Sequence, residues 1–368
     1  MKIGIDISQI VYKGSGVSRF TEGLVRAILT YEQTHHWSFF FSSLRQKLDP
    51  ALTERIKSNG FDLYTYTYPP TLLSTLFNDM HDFSRFFLKD NEDIKKLDWF
   101  ITSDWTEPPM PTKKATIVHD LVFKKFPETV HPSILKTQEK RLRHVVHESE
   151  LVFADSNATA QDLIKEYAID KNKVTVNYPG VETGEKALEK DEDVVQKYGI
   201  HKPYILAVGK LEPRKNIERL IKAFKKTNTT AQLVIAGPKG WGISELQESD
   251  EIAFLGFVPD EDLALLYQNA LFFIYPSLYE GFGYPIIEAM RFDCPVATSN
   301  TSSMAEIAKD AALLFDPENI QEIADTIQNM FDDEKLRDEL IQKGSARAKE
   351  FTWSAYYNTL IKQLSSHL

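Results

Sequence analysis

The chain has 368 residues with 43 Lys and Arg against 53 Asp and Glu, and its formal net charge of −10 argues against a general nucleic-acid binder. Hydrophobic residues at 42% and charged residues at 26%, with 23 Phe, 15 Tyr and 5 Trp, exclude a disordered chain, and the length predicts two domains rather than one. Cys294 is the single cysteine, which excludes an intrachain disulfide and any zinc or iron–sulfur site built on thiolates, and fits a reducing, cytoplasmic setting.

The first predicted strand, "KIGIDIS", is interrupted by Asp6 too early for a signal peptide, and no apolar run is long enough to span a bilayer. It leads into "QIVYKGSGVSRFTEGLVRAIL", where Gly14 and Gly16 precede a helix with Phe20, Leu24, Ala27 and Ile28 on one face. Such a turn lets backbone amides approach an anion at a helix N-terminus, and a tight turn without a ligand is the plainer alternative. The strands "WSFFFSS", "DLYTYTY", "LDWFITS", "ATIVHDL", "LVFADS" and "VTVNYPG" follow, alternating with helical patterns. His119, in "ATIVHDL", falls where a strand should end and is suited to bonding a sugar or to acid/base work; a structural pairing with the adjacent Asp120 is the alternative.

The stretch "ILKTQEKRLRHVVHE" sets Lys136, Lys140 and His144 at i, i+4 spacing beside Arg143 and His147. That face suits a lipid-phosphate acceptor or an anionic membrane, and a solvated helix face accounts for it more simply. Residues 1–185 hold 23 of the basic and 25 of the acidic residues and seven of the nine His, so the second half carries most of the negative charge. A linker is expected near 182–192, after which the rhythm restarts with "YILAVGK", "AQLVIAG", "IAFLGFV", "LFFIYPS" and "PVATSN". Two strand–helix series predict an α/β protein with two doubly wound parallel sheets, whose ligands dock beyond the carboxyl ends of the strands.

Two loops of the second series carry the chemistry. "GKLEPRKN" places Lys210, Arg214 and Lys215 at a helix start, the wrong end of the dipole for cations, which points to a bound anion or to a solvated turn. "YEGFGYPIIEAM" brings Glu280, Gly281, Phe282, Gly283 and Glu288 around Pro285, a residue suited to the first position of a helix; an ordinary helix with an exposed Glu is the plainer alternative. Carboxylates repel a diphosphate, so Glu280 and Glu288 are expected to accept hydrogen bonds from hydroxyls at the two ends of an extended ligand such as a nucleotide-sugar.

The chain resembles the retaining glycosyltransferases of family 4, which have the GT-B architecture of two facing Rossmann-like domains. The likeness rests on "EGFGYPIIEAM", "GKLEPRKN", the glycine-rich first loop, "VHDL", "ADSNATAQDL" followed by "VNYPGV", and the closing "FTWSAYYNTLIKQL". It implies a donor site in which Glu288 meets the ribose, Glu280 with the Phe282 and Gly283 backbone meets the sugar, and Arg214 and Lys215 clamp the diphosphate. His119 would lie by the transferred hexose, and Gly14 and Gly16 by the donor phosphates or the acceptor. The implied domains are 1–185, with the last helix of 353–368 crossing back, and 186–352. Two departures stand out: Lys210 replaces a frequent Arg, and Asp293 stands where Gly is frequent after a helix, although Asp tolerates the left-handed conformation.

The resemblance further implies metal-independent transfer, in keeping with the lack of an Asp-x-Asp pair placed to hold a metal. The donor favoured by "LEPRKN" is GDP-mannose, and the acceptor is a hydroxyl of a glycan or lipid-linked molecule in surface-polysaccharide assembly. The expected protein is cytoplasmic, with peripheral membrane contact left open and no nucleic-acid partner. A nucleotide-sugar 2-epimerase and a non-catalytic nucleotide-sugar-binding subunit are the rival readings.

Overall fold

Strands apolar on both faces assemble into two parallel sheets, as parallel pairing covered by helices requires. The computed structural model describes residues 1–88, 91–181, 193–240, 242 and 249–368. It contains two compact units, Met1–Glu182 with Thr352–Leu368, and Thr183–Phe351. The linker expected near 182–192 lies outside the described residues.

The first unit contains β1 (Lys2–Asp6), β2 (His36–Ser42), β3 (Asp62–Tyr66), β4 (Trp99–Ser103), β5 (Lys113–Val118), β6 (Leu151–Ala154) and β7 (Val174–Val176). Their order, β3-β2-β1-β4-β5-β6-β7, reverses between β1 and β4. One face of this sheet is closed by Phe20, Leu24 and Ile28 of the Gly16–Tyr31 helix, with Trp353, Tyr356 and Leu360 of the Trp353–Ser366 helix joining the same core. Thr352 caps that last helix by accepting from the Ala355 amide at 3.2 Å, and Asn177 Nδ2 donates to the Tyr356 carbonyl at 3.1 Å.

The second unit contains β8 (Tyr204–Val208), β9 (Gln232–Ala236), β10 (Ile252–Gly256), β11 (Phe272–Tyr275), β12 (Val296–Ser299) and β13 (Ala312–Phe315), in the order β10-β9-β8-β11-β12-β13. Among the described residues, twelve of the thirteen strands fall in the stretches read as strands from sequence; β13, "ALLF", does not. Its Ala and two Leu favour helix as readily as strand, and its pairing with β12, Val296 opposite Ala312 through Ser299 opposite Phe315, decides the matter.

The strand order reverses at β8 and β11, where Ile205 lies opposite Phe272 and Leu206 opposite Phe273. That reversal forces the loops leaving these two strands apart from their other neighbours and toward each other, the place where α/β sheets receive ligands.

Candidate functional site

The loop after β8 carries Lys210, Arg214 and Lys215, and the loop after β11 carries Glu280 through Gly283. The Leu278 amide donates to the Arg214 carbonyl at 2.9 Å, so backbone holds the two loops in register. Lys215 Nζ then lies 2.6 Å from Glu280 Oε1 and 2.7 Å from the Tyr275 hydroxyl. Arg214 Nη1 reaches the same Glu280 oxygen at 2.7 Å and the Tyr279 carbonyl at 2.6 Å, while Nη2 reaches Glu212 Oε1 at 2.8 Å.

Only 16% of the Arg214 side chain, 12% of Lys215 and 11% of Glu280 is exposed, so these charges interact at a reduced dielectric. Burial alone would raise the Glu280 carboxyl, but Arg214 and Lys215 outweigh it and hold the group down at about 2. Glu280 is therefore a carboxylate at neutral pH. Burial lowers the Lys215 ammonium, helped by Arg214 and opposed by Glu280, whereas the Arg214 guanidinium is raised by Glu280 and Glu212 against its own burial. Two cations meet two carboxylates, and the dipole conflict anticipated at this helix start is answered within the chain by Glu280 and Glu212. Lys210 stands outside the cluster, exposed.

The glycine loop is pinned from behind. Ser302 and Ser303 hydroxyls donate to the Glu280 carbonyl at 2.6 and 2.8 Å, and Ser303 also donates to the Phe282 carbonyl at 3.0 Å. Gly283 caps the Tyr284–Arg291 helix with φ 99°, a conformation that a side chain would strain, and Gly281 and Phe282 beside it are buried. Pro285 is thus the second helical residue rather than the first. Glu288 sits one turn into the helix, half-buried, with the Tyr267 hydroxyl 3.4 Å from its Oε2. Past the helix, Asp293 takes φ 55° and accepts from the Ser345 hydroxyl at 2.7 Å, so Asp fills the left-handed position expected of Gly.

His119, Gly14 and Gly16 belong to the other unit. His119 follows β5, with Nδ1 2.8 Å from Asp155 Oδ2 and Nε2 3.0 Å from the Ser103 hydroxyl. Burial lowers its imidazole, but Asp155 and Asp104 together leave it raised. Its partner is Asp155, 36 positions away, and not the adjacent Asp120, whose carboxylate caps the Val122 amide instead. Phe20 meets the His119 ring edge-on at 4.6 Å, which links His119 to the helix that Gly14 and Gly16 introduce. Gly14, with φ 83°, and Gly16 are both exposed.

In the Pro132–Glu148 helix, Lys136, Lys140, Arg143 and His147 are exposed, while His144 turns inward and stacks on His81. The cationic face read from sequence thus loses one member, and Lys140 pairs with Asp79. Sequence reasoning missed Glu212, Tyr275, Ser302 and Ser303 in the one unit, and Ser103 and Asp155 in the other. Glu212 alone carried a local signal, two residues from Arg214; the rest are joined to the site only through strand order.

Residues 190–347 match the family described as "Glycosyl transferases group 1". The whole chain is similar to the O-antigen chain mannosyltransferase B of Escherichia coli, 28% identical over 96% of each chain. It is also 28% identical to the serotype-specific mannosyltransferase WbdA of Escherichia coli over 67% of its own length, and that alignment spans about a third, 32%, of WbdA. Among solved structures, Anabaena HepE in complex with UDP and glucose has a TM-score of 0.71 over 100% of both chains at 18% identity, a likeness of fold. The chain thus carries a group 1 glycosyltransferase domain over residues 190–347, has the GT-B fold, and is similar over nearly its whole length to a mannosyltransferase.

Proposed function

We propose that the enzyme transfers a hexose, mannose before others, from a nucleoside-diphosphate sugar to a hydroxyl of a glycan or lipid-linked acceptor, with retention of configuration and without a metal ion. The observation that carries the reading is the buried cluster of Arg214, Lys215 and Glu280 at the reversal of strand order between β8 and β11. Departure of a nucleoside diphosphate builds negative charge on a phosphate oxygen, and preorganised cations in a site of low dielectric stabilise that charge as it develops. An ammonium has three donors, and Tyr275 and Glu280 engage two of those on Lys215, leaving the third for a phosphate oxygen.

Glu280 has two tasks in this scheme: it holds both cations in place and keeps acceptor capacity for donor-sugar hydroxyls. Glu288 meets the ribose, and the amides of Phe282 and Gly283 complete the sugar subsite. His119 stands by the transferred sugar, and Gly14 and Gly16 bring the first loop to the phosphates or the acceptor. No side chain of the cluster is placed as a nucleophile, so the acceptor hydroxyl attacks from the face the leaving group vacates and gives its proton to the departing phosphate. The names of the mannosyltransferase relatives favour mannose and an acceptor of polysaccharide assembly, and GDP-mannose is the donor that the likeness of "LEPRKN" implies.

The test is a panel of nucleotides and nucleotide-sugars in thermal shift, where a ligand selective for the native state raises the melting temperature with concentration. It is followed by NMR of the product formed from GDP-mannose and a mannosyl glycan acceptor. The expected result is a GDP-dependent shift, an α-linked product and turnover indifferent to added Mg²⁺ or Mn²⁺. Inversion at the anomeric carbon, or epimerised donor formed without acceptor, overturns the reading.

A further inference from the structure

The unit that holds His119 contains a second group of potential ligands with no place in the transfer chemistry. His81 opens the His81–Leu88 helix, and His144 and Glu148 lie four residues apart on one face of the Pro132–Glu148 helix. One nitrogen from each histidine and one Glu148 oxygen lie within 4.8 Å of one another. We propose that His81, His144 and Glu148 bind one divalent transition-metal ion of the zinc class.

Hydrogen bonds decide which nitrogens face inward. His81 Nδ1 is 2.6 Å from the Phe77 carbonyl and His144 Nε2 is 3.0 Å from the Asn78 carbonyl. A carbonyl only accepts, so each ring spends an N–H on backbone and, when neutral, keeps a lone pair on its other nitrogen, Nε2 in His81 and Nδ1 in His144. Metal-binding histidines are held in this way, with a backbone carbonyl fixing tautomer and ring. At His81, Nε2 lies 2.7 Å from Glu148 Oε1, so a ligand nitrogen and a carboxylate oxygen already face each other and need to part by less than about 1 Å to share an ion.

The surroundings favour the ion. A cavity of about 380 Å³ borders the triad, lined also by Asp79, Asp82 and His147, which leaves room for water as a fourth ligand. Lys114, 3.0 Å from Glu148 Oε2, is the main opposing charge, and Glu107 at 3.0 Å offsets it. Oε1 also meets Arg85, whose side chain is 52% exposed, so water screens that pair and weakens its competition with an ion. Two imidazole nitrogens and one carboxylate oxygen are a donor set that zinc takes with an open position. The rings now stack with centroids 3.7 Å apart and planes 8° apart, so both must tilt for their in-plane lone pairs to converge on one ion.

The whole chain, stripped with a chelator, is titrated with Zn²⁺ against a chromophoric competitor and separately with Co²⁺, whose visible bands report nitrogen ligation. The expected result is one equivalent bound, Co²⁺ bands in the wild type, and His144→Ala weakening affinity by at least about tenfold while far-UV circular dichroism is kept. The exposed His201→Ala, in the other unit, serves as the control and leaves affinity unchanged. Absence of the Co²⁺ bands, or equal affinity in wild type and His144→Ala, overturns the proposal. Should His144→Ala misfold, His144→Asn replaces it, and the wild-type Co²⁺ spectrum decides the matter without any variant.

Discussion

Lys215 Nζ donates to Glu280 Oε1 at 2.6 Å across 65 positions of sequence, joining the loop after β8 to the loop after β11. Replacing Lys215 by Met keeps most of the buried stem and removes the ammonium, and Glu280 retains Arg214 at 2.7 Å. Loss of one preorganised donor for a developing oxyanion costs about 10²–10³ in turnover. Lys215→Met is therefore expected to lose that factor in kcat at saturating donor with a small change in melting temperature. Lys215→Arg keeps the full charge but presents a planar fork in place of the compact ammonium that meets Tyr275, and is expected to recover part of the turnover. Undiminished kcat in Lys215→Met would remove this residue from the phosphate clamp.

Glu280 predicts an acid-sensitive unit. Its carboxyl is lowered from 4.5 to about 2 in the folded protein, so its contribution is complete above pH 4.5 and is lost as pH falls toward 2. That lowering corresponds to roughly 3 kcal/mol. Glu280→Gln is expected to lose about this much at pH 7, where it leaves Arg214 and Lys215 facing a neutral amide. Its stability should then fall less steeply than the wild type's between pH 4.5 and 2. Denaturant unfolding monitored across that range checks the sign, and parallel pH profiles for the two proteins contradict it.

What the sequence could and could not disclose follows from range. "YILAVGK" and "LFFIYPS" are readable as strands because their apolar side chains are continuous, and Gly, Pro and Glu after them mark a loop and a helix start within a dozen residues. That Lys215 and Glu280 pair depends on β8 lying beside β11, and no local pattern encodes a neighbour chosen from five other strands. The same holds for His119, which local reading pairs with Asp120 and the fold pairs with Asp155, because β5 and β6 are adjacent. β13 was illegible for a different reason: in "ALLF" neither periodicity nor propensity separates strand from helix.

The last helix predicts a steric test. An added Cβ at Gly180 would meet the Trp353 backbone nitrogen at 2.3 Å and its Cγ at 2.5 Å, and backbone cannot move aside as a flexible side chain can. Gly180→Ala must displace the start of the Trp353–Ser366 helix, whose Tyr356 and Leu360 lie in the core, and overpacking of this kind costs about 1–3 kcal/mol. Gly16→Ala is the contrast, because nothing lies within 4 Å of its Cβ and its φ is not left-handed. A lower melting temperature is expected for the first and an unchanged or higher one for the second; equal effects would mean that the helix is not held against Gly180.

His119 predicts a titration with a definite sign. Burial alone would push the imidazole below its ordinary 6.5, yet Asp155 at 2.8 Å and the nearby Asp104 bring the folded value above it. The stability it contributes is complete below pH 6.5 and disappears as pH rises through the folded value. Proton NMR of the His119 Cε1 resonance should give a midpoint above 6.5 in the wild type and a lower one in Asp155→Asn, where burial remains and the countercharge is gone. A neutral Asn still accepts a hydrogen bond, so the variant separates charge from geometry. An unaltered midpoint would show that Asp155 only orients the ring and that the raised value comes from other charges, Asp104 first among them.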